Sequence, residues 1–138
     1  MIPRLLPLYR PSLRLLFQSR PILSRSLCSP LPKMSISYLE SESGYNSAVA
    51  SGEMIVVDCT AAWCGPCKMI TPHYENMSKV YSGVKFYKLD IDSVPEVARK
   101  LNVRAVPTFV FFKGGRKVSE VQGANIRGVQ KALEDISI

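Results

Sequence analysis

The sequence predicts an α/β fold, a mixed five-stranded sheet with helices on both faces. Three observations predict it. Beyond residue 33 the hydrophobic pattern switches repeatedly between short apolar or alternating runs and stretches of helical period. Two runs, MIVVDCT at Met54–Thr60 and TFVFFK at Thr108–Lys113, are apolar almost throughout, as strands covered on both faces are. The length, 138 residues, suits one domain with a core of ordinary size.

The elements follow in order. Ser35–Leu39 is a short strand. Ser41 or Ser43 caps a helix to about Ala50, which Gly52 ends. Met54–Thr60 is the first buried strand. A helix runs from Cys67 to about Tyr81, kinked at Pro72 and closed by Gly83. Val84–Asp90 alternates as a strand, and Val94–Leu101 is a short helix with Pro95 in its first turn. Thr108–Lys113 and Lys117–Val121 form a hairpin across Gly114-Gly115. Asn125 caps a last helix to about Ile136, with Val129, Ala132, Leu133 and Ile136 on one face. The order is β-α-β-α-β-α-β-β-α.

Charge separates the chain into two parts. The net charge is +7, yet residues 1–33 hold six basic side chains and no acidic one. Residues 34–138 hold twelve basic and eleven acidic residues and are close to neutral. A nucleic-acid footprint is therefore not expected, because the excess lies in the leader. Residues 1–33 are rich in arginine and serine, the composition of a mitochondrial transit peptide that is cleaved and disordered. A basic disordered tail is the alternative. No more than five residues separate successive arginines there, which excludes a secretory core and a membrane-spanning helix. Prolines 3, 7, 11 and 21 leave only Ser12–Arg20 for an amphipathic helix. Arg25-Ser26-Leu27-Cys28 resembles a processing site of the matrix peptidase.

Trp63-Cys64-Gly65-Pro66-Cys67-Lys68 follows a buried strand and opens a helix. Cysteines three apart on a helical turn are close enough to bridge. Cys64 lies at the helix N-terminus, where free N–H groups favour a thiolate. Cys67 lies one turn further in and is shielded. The pattern predicts an exposed nucleophile with a resolving thiol behind it, and Pro66 fixes the turn. A metal site is the rival chemistry, but its further ligands would have to come from Cys28, Cys59 and His73, of which Cys28 is in the leader and His73 points away. Two core cysteines without a role are the other alternative. No glycine-rich phosphate loop is present, and no bound cofactor or metal is expected.

WCGPCK resembles the active site of the thioredoxin family. The resemblance covers nearly all of 35–138: VVDCTAAWCGPCK, VKFYKLDID, VRAVPTFVFFKGG and VQGA each match a family segment. With the leader, the chain is similar above all to mitochondrial members of that family. The resemblance implies a thioredoxin fold over 34–138 and a protein-disulfide reductase of the mitochondrial matrix. It implies that Cys64 attacks and Cys67 resolves, with Gly65 and Pro66 tuning the pair. It implies that Asp58 relays a proton to the resolving thiol and that Lys88 pairs with Asp58. Read from spacing alone, Asp58 is equally a strand-end polar residue and Lys88 a solvated one. Trp63, Val106, Pro107 and Gly123 resemble the substrate-docking surface, with Pro107 cis. The implied cycle forms a Cys64–Cys67 disulfide and draws electrons from NADPH through thioredoxin reductase. The implied partners are that reductase and disulfide-bearing clients such as peroxiredoxins, with no nucleic acid or membrane insertion and a monomeric state. Two departures stand out: Cys59 and Thr60 occupy places where the family commonly has aromatics. Cys59 should face away from Asp58 as a buried small hydrophobe, a regulatory thiol being the alternative. A non-catalytic binding subunit or chaperone, and a metal carrier, are the competing functions.

Overall fold

The computed structural model describes residues 36–138. The leader read over 1–33, its Ser12–Arg20 helix and Cys28 lie outside the described residues. The elements are β1 (Ser37–Tyr38), α1 (Glu42–Ala50), β2 (Ile55–Thr60), α2 (Gly65–Val80), β3 (Lys85–Asp90), α3 (Pro95–Lys100), β4 (Thr108–Lys113), β5 (Arg116–Gln122) and α4 (Ile126–Ser137). Their order is the predicted one. The sheet runs β1-β3-β2-β4-β5. β1 and β2 pair parallel to β3, while β4 pairs antiparallel to both β2 and β5.

Alternation along the central strands divides the core into two layers. Ile55, Val57 and Cys59 of β2, Leu89 of β3, and Val110 and Phe112 of β4 pack against Tyr45 and Ala48 of α1 and Val97 of α3. Val56, Phe86, Phe109 and Phe111 point the other way, against Ile70, Tyr74 and Met77 of α2 and Val129, Ala132, Leu133 and Ile136 of α4. Both faces are thus covered, which is why β2 and β4 are apolar nearly throughout.

The ends of the elements follow local chemistry. Ser41 Oγ accepts from Gly44 N–H (3.1 Å) and Asn125 Oδ1 from Gly128 N–H (3.0 Å), capping α1 and α4. Gly114 and Gly115 both have positive φ, as the tight hairpin turn requires. The hairpin carries an irregularity at Phe111/Phe112, and β5 runs Arg116–Gln122, one residue beyond the expected Lys117–Val121 at each end. Two expectations need correction. α2 starts at Gly65, two residues before the expected Cys67, because the Cys64 side chain caps it. Gly83 does not close α2 as a left-handed cap: the helix ends at Val80 with Tyr81 at its C-cap, and Gly83 has no positive φ.

Candidate active site

β2 delivers its C-terminal end to the top of the sheet, and a short turn carries the chain into α2. Cys64 is the N-cap of that helix and Cys67 lies in its first turn. The two are bridged as a disulfide with Cα atoms 5.3 Å apart, inside the range the bond needs. Cys67 N–H donates to Cys64 Sγ at 3.2 Å. The sulfur thus takes the place of a capping oxygen and receives one of the helix's free N–H groups. The same donor would stabilise negative charge on Cys64 in the reduced protein.

The expected contrast between an exposed Cys64 and a shielded Cys67 is not present in the bridged state. They are 3% and 2% exposed. Ala61, Ile91 and Val106 pack with the two cysteines. What stands open is the rim: Trp63 is 69% exposed, and Gly65 and Pro66 are exposed beside it. Trp63 is anchored by its indole N–H, which donates to Asp92 Oδ2 at 2.9 Å. On the other side of the bridge the Val106–Pro107 bond is cis, and Gly123 N–H donates to Pro107 O at 2.7 Å. The structure therefore sets Trp63, Gly65 and Pro66 next to the cysteines in the chain and packs Val106 against them, with Pro107 following Val106 and Gly123 bonded to Pro107.

Asp58 belongs to β2, the strand that leads into the turn before α2. It stands on the α2/α4 face of β2, fully buried, between Lys88 of β3 and Phe109 of β4 in strand register. Neither carboxyl oxygen has a hydrogen-bond partner. Burial pushes its pKa up to about 7, against the opposing pull of the Lys88 ammonium. The expected pairing of Lys88 with Asp58 is one of register and face, and no hydrogen bond joins them. Lys88 Nζ donates instead to Thr71 Oγ1 of α2 at 3.0 Å, and Thr71 Oγ1 donates to Cys67 O at 2.9 Å. The Tyr74 hydroxyl lies 2.8 Å from Tyr87 O and 3.1 Å from Val56 O, tying α2 to both strands.

Cys59, the next residue on β2, is the free cysteine among the described residues and faces the α1/α3 layer. Burial, with the Asp58 charge as a smaller cause, pushes its thiol up to about 12. Among the described residues no group of three His, Cys, Asp or Glu side chains could hold a metal, and no helix is long and apolar enough to cross a membrane. Sequence reasoning missed Thr71, Ile91 and Asp92. Asp92 had a signal, a second acid in the DID run after β3; Thr71 and Ile91 are placed only by the packing of α2 and the β3–α3 turn.

The thioredoxin family model matches residues 36–135. Thioredoxin-2 of Saccharomyces cerevisiae is 48% identical over 99 residues, which are 71% of this chain and 95% of that protein. Human thioredoxin is 39% identical over 103 residues, 73% of this chain and 98% of that protein. Among solved structures, oxidised mitochondrial thioredoxin 3 of S. cerevisiae superposes with a TM-score of 0.71 at 35% identity, covering 72% of this chain and 94% of that one. A disulfide set at a helix N-terminus, within a fold and sequence shared this widely, leaves one assignment: the chain belongs to the thioredoxin family and is a thiol–disulfide oxidoreductase that reduces protein disulfides.

Proposed function

We propose that this protein is a mitochondrial-matrix thioredoxin in which Cys64 is the attacking and Cys67 the resolving cysteine. The Cys64 thiolate attacks one sulfur of a client disulfide, forms a mixed disulfide and releases the other client sulfur as a thiolate. Cys67 gives its proton to Asp58, and its thiolate attacks Cys64 Sγ. The second client thiolate leaves, and the Cys64/Cys67 pair closes its own disulfide, having given up the two electrons the client gains. The observation that carries this reading is a disulfide capping α2 together with a buried, unpartnered carboxyl on the face of β2 that α2 covers. Cys64 receives the Cys67 N–H, whereas Cys67 has no comparable helix N-terminal donor and needs a base. An acid poised at about 7 can take that proton and return it near neutral pH.

The remaining assignments rest on sequence and likeness. Trp63, Val106, Pro107 and Gly123 form the client-docking rim, with Gly65 and Pro66 setting the turn that tunes the pair. Lys88 biases Asp58. Residues 1–33 are a cleaved import leader and 34–138 the working domain, which acts as a monomer. The acid-free, arginine-rich leader supports this, as do structural neighbours from yeast mitochondria. A thioredoxin reductase returns electrons from NADPH. Peroxiredoxins are a fitting client class, since one neighbouring structure concerns a yeast mitochondrial 1-Cys peroxiredoxin resolved through glutathione and thioredoxin systems.

Stopped-flow kinetics with a disulfide client tests the assignment of roles. Cys64→Ser should abolish both steps. Cys67→Ser should form the mixed disulfide and stall there. Asp58→Asn should slow resolution about a hundredfold or more near pH 7, within the range of general-base contributions, and the defect should shrink at alkaline pH as Cys67 ionises unaided. A defect confined to mixed-disulfide formation, or one independent of pH, would remove Asp58 from the base role.

A further inference from the structure

We propose that Thr71 is a positioning residue: its hydroxyl holds the Lys88 ammonium away from Asp58, leaving the buried carboxyl unpaired and free to exchange a proton. The functional half of this proposal rests on the reading of Asp58 as the base for Cys67.

Asp58 and Lys88 are register partners on parallel strands and point to the same face. One is fully buried and the other 7% exposed. Opposite charges so placed, in a medium of low dielectric, should close on each other. They do not: the ammonium is bound to Thr71 Oγ1, and both Asp58 oxygens are left without a partner. The Thr71 hydroxyl is built to compete. Its own proton is committed to Cys67 O one turn back along α2, so its lone pairs are turned outward to accept the ammonium. The helix backbone thereby fixes where Lys88 Nζ rests.

Little else faces the carboxyl. From α2 come Tyr74, whose hydroxyl proton is shared between two strand carbonyls, and Cys67, whose sulfur is in the bridge. β4 presents Phe109, and α4 presents Val129, Ala132, Leu133 and Ile136, none of them titratable. Cys59 lies on the opposite face of β2. Among the described residues, Lys88 is therefore the cation whose position decides how readily Asp58 ionises. Contact with an opposite charge lowers a carboxyl's pKa by about 1–3 units. An Asp58 held by Lys88 would be ionised well below neutral pH and a weaker base for Cys67.

The oxidised protein isolates the effect, because the bridged thiols do not titrate. The Asp58 carboxyl is followed by 13C NMR across pH in wild type, Thr71→Val, Thr71→Ser and Lys88→Gln. Thr71→Val should lower the Asp58 midpoint by about one pH unit or more, and Thr71→Ser, which keeps the hydroxyl, should hold the wild-type midpoint. Thr71→Val placed on Lys88→Gln should move nothing further. A midpoint that stays or rises in Thr71→Val overturns the proposal, and so does an equal fall in the Lys88→Gln background. Thr71→Ala, which also lacks the hydroxyl, gives the same readout if Val packs poorly. The resolving step is then measured across pH in Thr71→Val. A profile shifted to lower pH by the same amount supports both the placement and the base. A lowered midpoint with an unmoved profile upholds the placement of Lys88 by Thr71 and defeats the reading of Asp58 as the base.

Discussion

Asp58 and Cys59 are consecutive residues of β2, each with no exposed surface, and they point into opposite layers of the molecule. Desolvation is the largest influence on both, and it raises both. The outcomes differ because the starting points differ. A carboxyl raised to about 7 changes its charge at working pH and becomes able to trade protons. A thiol raised to about 12 stays protonated and becomes inert. The layers match this division. The α2/α4 side of β2 carries polar groups of α2 and β3 around the carboxyl, namely Thr71, Tyr74 and Lys88. The α1/α3 side surrounds Cys59 mainly with apolar side chains, and Glu120 and Lys117 of β5 act on it more weakly than burial does. Burial is thus the same physical act on both faces, and it brings a group to titrate near neutral only where the unperturbed pKa starts below neutral.

The comparison breaks most visibly through stability. The folded-state pKa of Asp58, about 7, lies above the ordinary aspartate value of 3.8. Below the lower value both folded and unfolded chains are protonated, and the group's contribution is fully present. As pH rises between the two, the unfolded chain releases a proton that the folded one retains, so folding weakens. Above about 7 the loss is complete. The gap is worth about 4 kcal/mol at about 1.4 kcal/mol per pH unit. Asp58→Asn removes this titration. Urea unfolding of the oxidised proteins should show the variant gaining about 4 kcal/mol on wild type between about pH 4 and pH 8. A difference that is flat with pH would mean that Asp58 is not desolvated in solution.

Much of this was legible beforehand, for identifiable reasons. A carboxyl inside MIVVDCT is conspicuous because nothing else in that run is charged. Strict alternation sends Cys59 to the other face, as found. The CGPC spacing fixed the bridge, since i and i+3 neighbours on a first turn are always close. What failed required tertiary knowledge. Exposure of Cys64 depends on what covers the bridge, and that cover comes from Ile91 and Val106 of distant loops. The partner of Lys88 depends on which α2 side chain overhangs β3, and Thr71 reads in sequence as an ordinary helical residue. The antiparallel pairing of β4 with β2 likewise follows from the route of the chain between α3 and β4, which no local period encodes.

Cys59 gives the next test, on the inert side. Cys59→Ala should cost about 1–2 kcal/mol, the loss of one buried atom and its packing. It should leave the rate of disulfide reduction unchanged, because the side chain faces away from the bridge. Peptide-resolved alkylation of the oxidised protein at pH 9 should find Cys59 unreactive until denaturant is added. Labelling in the folded protein, or a slower client reaction in the variant, would place Cys59 on the functional side and erase the contrast between the two faces.

The smallest effect belongs to a charge that the same inert layer carries at its surface. Glu42, in the first turn of α1, pairs with Lys100 at the end of α3, joining the two helices that cover Cys59. Both side chains remain about half exposed, so water solvates them whether or not they meet. Glu42→Gln should therefore cost only about 0.5 kcal/mol, from the lost pair and the lost helix-terminal charge together. That cost should fade in about 1 M salt, where the Debye length shrinks to about 3 Å. Urea unfolding at low and high salt measures it, and client reduction should not change. A loss above about 1.5 kcal/mol, or one that salt does not touch, would show the pair to be desolvated. One carboxylate with a partner in water would then weigh less than one buried without a partner only by accident of geometry. With the small, salt-sensitive loss, hydration is the variable that separates Glu42 from Asp58: the partnered charge in water changes little, and the unpartnered one on the α2 face is the one that burial moves.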